Sequence, residues 1–146
     1  MLAARGDHKK ADYLSLHPFG KVPAVKCEDG TAIFESGAIL MYLADKNGAL
    51  TTAEQRGAAA AWVLWANATF APAVFSGGPS RGTALKTMCE PLNARLAKTP
   101  FLLGDAFTVA DVAVGAYLAY TTMFFPDTKA TFKVRRGPLP RRSALG

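Results

Sequence analysis

Gly6 to Lys46 reads GDHKKADYLSLHPFGKVPAVKCEDGTAIFESGAILMYLADK, and its second half decides the fold. Val22 to Cys27 and Thr31 to Phe34 are short β-favouring runs separated by Glu28-Asp29-Gly30. Asp-Gly supplies the positive φ angles of a tight hairpin turn, so the two runs are expected to pair as antiparallel strands. A helix is expected from about Ser36: Ile39, Leu40 and Leu43 fall at three- and four-residue spacing in one apolar stripe, and Asn47-Gly48 closes it. The order strand, strand, helix thus ends near Lys46.

Beyond Asn47-Gly48 the pattern is helical only. Thr52 with Gln55 forms a Thr-x-x-Gln capping box, each side chain serving an orphan amide of the other residue. The helix that follows repeats Ala58, Ala61, Trp62, Trp65, Ala68 and Thr69 at helical spacing until Pro72 kinks or ends it. Trp62 and Trp65 are read as core or dimer surface in preference to a platform that stacks a second substrate. Gly77-Gly78-Pro79 is a turn, Thr83 to Lys98 a further helix interrupted at Pro91, and Thr99-Pro100 another break. In Phe107-Thr108-Val109-Ala110-Asp111-Val112, Thr108 is the N-cap, Asp111 its capping-box partner, and Phe107 with Val112 a hydrophobic staple. The helix from Val109 to about Tyr120 is apolar on nearly every face, which marks it as buried at the centre of the helical layer.

Composition bounds what such a chain does. Its 146 residues, half hydrophobic and 19% charged, describe an ordinary globular domain, or one domain with part of another, and exclude disorder and fibrous repeats. The nearly uncharged Val112 to Phe125 is too short to span a bilayer, which takes about 18 to 20 residues, so no membrane partner is expected. The start, MLAARGDHKK, has no secretory apolar core, and two cysteines make no disulfide framework, so a cytoplasmic address is expected. The net charge of +6 is local: Lys129, Lys133, Arg135, Arg136, Arg141 and Arg142 lie in the last twenty residues beside Asp127, and the remainder is near neutral. That is a solvated basic tail containing proline, not the basic face of a nucleic-acid binder. Neither cysteine sits in a CxxC pair or beside a histidine, and no metal site is expected.

Two stretches carry a resemblance. Gly6 to Lys46 is similar to the second half of the thioredoxin-like domain of glutathione transferases, through Pro-Phe-Gly-x-Val-Pro, a hairpin, and Glu-Ser opening a helix. Thr99 to Val114, TPFLLGDAFTVADVAV, is similar to that family's helical domain. The Gly-Asp-His-Lys-Lys run points to the plant and bacterial classes. The implied fold is mixed α+β: a partial thioredoxin-like β-hairpin and helix domain at residues 1–46, an all-helical domain at 47–126, and the basic tail at 127–146.

The resemblance also implies a site. Pro23 would follow a cis peptide bond, with Val22 offering its backbone to the cysteine of glutathione as one rung of a sheet. Glu35 and Ser36 stand where a strand enters a helix, where first-turn amides and the positive helix end favour an anion. Ser36 would bind the γ-glutamyl carboxylate and Glu35 the neighbouring ammonium. His8 and Lys9 match positions that contact the glycine carboxylate, and Lys21 stands where the family usually has Gln, keeping donors but losing the acceptor. His17 has no role that the sequence supports.

The implied activity is conjugation of the glutathione thiolate to a hydrophobic electrophile, as in detoxification, by a homodimer, with glutathione as substrate and no metal. The family's catalytic Ser, Tyr or Cys lies in a first strand-and-helix unit that would occupy about 30 residues, and only Met1 to Arg5 precede the Gly-Asp-His-Lys-Lys run, so no catalytic residue is assigned. The alternative is a non-catalytic scaffold or dimerisation module, as in a translation elongation factor subunit.

Overall fold

The computed structural model describes residues 6–131, so the basic stretch from Phe132 onward lies outside them. A 3-10 turn at Asp7–Lys9 and a one-turn helix α1 (Ala11–Leu14) lead to strands β1 (Ala24–Lys26) and β2 (Ala32–Phe34). These pair antiparallel in the register Ala24↔Phe34, Val25↔Ile33 and Lys26↔Ala32, as the pattern required. The turn differs in detail, because only Gly30 takes a positive φ. Its amide bonds the Cys27 carbonyl at 3.0 Å, and the Cys27 amide bonds Thr31 at 2.8 Å, giving a three-residue loop with glycine in the left-handed position. The Asp29 carboxylate accepts the Thr31 amide at 2.9 Å, which holds its carboxyl below the usual range.

Helix α2 (Ser36–Lys46) follows β2 directly, and α3 (Ala53–Leu64), a π-helical turn at Trp65–Phe70 and α4 (Ala71–Phe75) form one continuous rod. Helices α5 (Arg81–Leu96) and α6 (Val109–Phe124) complete the layer, and a 3-10 segment, Pro126–Thr131, packs back on both. Both capping boxes are formed. The Gln55 amide donates to Thr52 Oγ1 at 3.2 Å, and Gln55 Oε1 accepts the Thr52 amide at 3.2 Å. At the other, the Ala110 amide donates to Thr108 Oγ1 at 3.2 Å, and Asp111 Oδ2 accepts the Thr108 amide at 2.9 Å.

Three buried clusters hold the helices together. Ala44, Leu50 and Ala59 join α2 to α3. Val63, Ala66, Leu92, Leu102, Ala110, Ala113 and Val114 join the rod to α5 and α6. Phe70, Val74 and Leu85 close the far end. Gly37 lets α2 approach the rod, since a Cβ there would meet Val63 Cγ1 at 2.7 Å.

Several sequence expectations are corrected. Leu43 is exposed, and Ala44 takes its place in the stripe. In the rod the buried line is Ala59, Val63, Ala66, Phe70 and Val74, so Ala58, Ala61, Ala68 and Thr69 face outward, with Trp62 and Trp65 partly buried beside the line. A run of four alanines has no apolar contrast from which to read a phase. Pro72 does not end the rod, because the disruption falls one turn earlier, in the π-helical stretch. Pro91 does not interrupt α5: it lies on the exposed face, where the Thr87 carbonyl it leaves unserved meets solvent. Phe107 is 62% exposed and packs edge-on against Phe101 at 5.7 Å, and Val112 is exposed too. Helix α6 is central but not buried all round, since Ala116, Ala119, Tyr120 and Met123 face outward.

The longer uncharged run is residues 57–80, not Val112 to Phe125. Residues 57–75 of it lie in the 23-residue rod Ala53–Phe75, which is long and apolar enough, by length and composition, to cross a bilayer. Here one side of that rod forms the core just described.

The two cysteines differ in environment. Cys27 is partly exposed at the end of β1, whereas Cys89 is buried in α5 and its thiol is pushed up to about 11 by that burial. At pH 8 a thiol of that kind is ionised to about one part in a thousand. Iodoacetamide at pH 8 is therefore expected to modify Cys27 while sparing Cys89 until denaturant is added. Peptide mass analysis that finds both modified at similar rates in the native protein would contradict the packing of α5.

Candidate functional site at the head of helix α2

The hairpin register fixes where the predicted residues meet. Since Ala24 pairs with Phe34, Pro23 and Val22 stand at the same end of the sheet as Glu35 and Ser36. The Val22–Pro23 peptide is cis, as the resemblance implies. Val22 is half exposed, and among the described residues no hydrogen bond engages its backbone, which leaves an edge for an extended ligand.

Glu35 makes the strand-to-helix corner. Its φ of +69° and ψ of 124° lie in a region that non-glycine residues seldom occupy. Such a conformation costs on the order of 1–3 kcal/mol and marks corners where a side chain must be aimed. Glu35, not Ser36, is the N-cap of α2, and its side chain makes no capping bond. The first intrahelical bond runs from the Ile39 amide to the Glu35 carbonyl at 3.0 Å, so the amides of Ser36, Gly37 and Ala38 come before the ladder begins. The Glu35 carboxylate is exposed and has no ion-pair partner among the described residues. Helix dipole, free amides and a free carboxylate are thereby offered side by side, a fit for an anion next to an ammonium group.

His8, Lys9 and Lys21 join the same end through the loop before β1. The Lys9 ammonium donates to the Phe19 carbonyl at 3.3 Å. Gly20 has φ +56°, and a Cβ on it would press on the His8 carbonyl at 2.8 Å, so the two segments touch. Tyr13 Oη donates to the Lys21 carbonyl at 2.8 Å, which ties α1 to the residue before Val22. His8 Nδ1 is buried with no partner among the described residues. The register brings Val22, Pro23, Glu35 and Ser36 to one end of the hairpin, and Lys21 adjoins Val22 in the chain, while His8 and Lys9 touch the Phe19-Gly20 loop that leads into it. Among the described residues no group of three or more His, Cys, Asp or Glu side chains is placed to hold a metal ion.

Three residues at this end had no signal in the sequence. His17 is buried and lies 4.8 Å from the Phe34 ring and edge-on to Phe19, so it serves as the floor that joins the loop to β2. Asn67, on the π-helical turn, accepts hydrogen bonds from Ser36 Oγ at 3.4 Å and from Tyr117 Oη at 2.8 Å. Asn67 and Tyr117 show no local pattern, because Asn67 lies 31 residues from Ser36 and 50 from Tyr117.

Comparison with known proteins points to one family. Residues 2–46 match the family model described as glutathione S-transferase, N-terminal domain, and residues 55–141 match glutathione S-transferase, C-terminal domain. Glutathione S-transferase F13 of Arabidopsis thaliana is 35% identical over 138 residues, covering 77% of this chain and 63% of that protein. Disulfide-bond oxidoreductase YfcG of Escherichia coli K12 is 30% identical, covering 75% and 61%. Among solved structures, a glutathione transferase of Burkholderia graminis with two glutathione molecules bound per subunit is similar at a TM-score of 0.70 and 27% identity, covering 88% of this chain and 63% of that one. A Streptococcus pneumoniae glutathione transferase complexed with glutathione is similar at 0.64 and 28%, covering 77% and 51%. The chain spans 50% to 63% of the length of the first curated relatives it matches. With the hairpin, the Glu35-Ser36 corner and the capped helical layer all in place, this chain belongs to the glutathione S-transferase family.

Proposed function

We propose that the chain binds reduced glutathione at the hairpin end and serves the transfer of its thiolate to hydrophobic electrophiles. In this reading the first-turn amides and hydroxyl of Ser36 take the γ-glutamyl carboxylate, and Glu35 takes the adjacent ammonium. Val22, ahead of Pro23, offers its backbone to the cysteine, while His8, Lys9 and Lys21 face the glycine end. The observation that carries the reading is the Glu35-Ser36 corner: a free carboxylate in a left-handed conformation beside three unladdered amides. No residue of this chain is assigned to the activation of the thiol.

A second reading, glutathione-dependent disulfide exchange, is favoured by relatives in Escherichia coli named disulfide-bond oxidoreductases YfcG and YghU. Both readings need the same glutathione site. Calorimetric titration of the 146-residue chain with reduced glutathione is the test, and Glu35→Ala is expected to weaken affinity roughly 10- to 150-fold, the loss of one charged hydrogen bond of about 1.5–3 kcal/mol. Equal affinity in the variant would move the ligand elsewhere. Absence of binding to the unmutated chain would leave the scaffold alternative.

A further inference from the structure

The head of α2 does not stand alone. Asn67 reaches it from the π-helical turn and Tyr117 from α6, and both belong to the helical part of the chain. Asn67 Nδ2 donates to the Val63 carbonyl at 2.8 Å, which settles the orientation of the amide: its oxygen must face the hydroxyls. That oxygen accepts a short bond from Tyr117 Oη at 2.8 Å and a long one from Ser36 Oγ at 3.4 Å. The backbone is held to the same point, because a Cβ on Gly37 would lie 3.2 Å from Asn67 Nδ2. Burial pushes the Tyr117 phenol up from its ordinary value and the Glu35 carboxylate adds to this, against a hydrogen bond with Ser36. Tyr117 therefore stays a neutral donor across the physiological range, next to both residues of the corner.

We propose that Asn67 and Tyr117 are positioning residues for the Ser36 hydroxyl, holding its oxygen at the head of α2 while leaving its proton free to turn toward a ligand carboxylate. The proposal rests on the glutathione reading above. Tyr117 takes the shorter bond to the Asn67 oxygen, so what the Ser36 hydroxyl gives up when an anion arrives is a 3.4 Å contact to Asn67 and its contact with Tyr117. A carboxylate at 2.5–2.7 Å is a much stronger acceptor than an amide oxygen at that range. The helical layer thus contributes to a site whose contacting residues all precede it in the chain.

A purely structural clamp between α2 and the rod predicts something different, and two ligands separate the cases. Reduced glutathione and its γ-glutamyl α-carboxamide analogue are titrated into the full chain and into Tyr117→Phe, Ser36→Ala and the double variant, with melting temperatures recorded for each. Tyr117→Phe is expected to weaken glutathione about three- to tenfold, the range of one neutral hydrogen bond. It should leave the carboxamide analogue unchanged and cause no further loss in the Ser36→Ala background. Equal losses for both ligands, an undiminished loss in the Ser36→Ala background, or no change in glutathione affinity would overturn the positioning role while the binding site stands. A chain that takes up no glutathione at all would overturn the binding site and the positioning role together.

Discussion

Replacing Phe70 with alanine is expected to cost about 3–5 kcal/mol, the range for a fully buried aromatic ring. Phe70 is 1% exposed and is the last residue of the π-helical turn. It packs with Val74 and Leu85, and its ring centroid is 5.4 Å from that of Trp65. The cluster joins the end of the rod to α5, with Tyr117 and Phe125 at its margin, so no loop is free to fall into the void. Since domains of this size are stable by about 5–15 kcal/mol, much of the folding free energy would be lost. Urea unfolding followed by circular dichroism checks this through the midpoint. A loss below about 1 kcal/mol would mean that this corner is not packed as described.

The second large effect is expected at Asp111. Sequence reading assigns it the capping box alone, where a cap is worth about 1 kcal/mol. Its carboxylate does more than cap. Oδ2 accepts the Thr108 amide at 2.9 Å and the Thr108 hydroxyl at 3.1 Å, while Oδ1 accepts the Leu102 amide at 2.8 Å. Leu102 is itself buried, and Arg95 Nε donates to its carbonyl at 2.9 Å, so one carboxylate joins α6 to the loop that follows α5. Asp111→Ala strands a buried amide as well as a helix end, and should cost about 2–3 kcal/mol. Asp111→Asn, which keeps one acceptor, should cost roughly half of that. Thermal melting separates them. A cost for Asp111→Ala no greater than that of Thr108→Ala would show that the Leu102 bond adds nothing.

The parts of this fold that were legible in the sequence are those held by neighbours along the chain. The hairpin, the two capping boxes and the glycine at the end of α2 each follow from residues within a few positions of one another. Leu43, Ala58 and Ala61 were misplaced because a stripe of similar apolar residues does not announce which edge faces inward. Pro91 suggests a break because the rule concerns the lost amide, whereas the outcome depends on whether the stranded carbonyl faces water. Of the candidate site, the Glu35-Ser36 corner and the Val22 edge were visible through their motif. The floor at His17 and the Asn67–Tyr117 support were not, since each is made by partners brought together only by tertiary packing.

The π-helical turn has a consequence for what changes the rod can tolerate. One such turn amounts to an extra residue in an α-helix, and each residue is worth about 100° of rotation. Upstream of Trp65 the buried line points at α6, and downstream of it Phe70 and Val74 join Leu85 of α5. Deleting one residue between 65 and 70 would restore a regular ladder yet swing the downstream side chains away from α5 and, where it falls ahead of Asn67, withdraw that residue from Ser36. Most substitutions there change one contact, whereas a change of length resets the phase of the whole segment. In this stretch the chain's register is constrained more tightly than its composition.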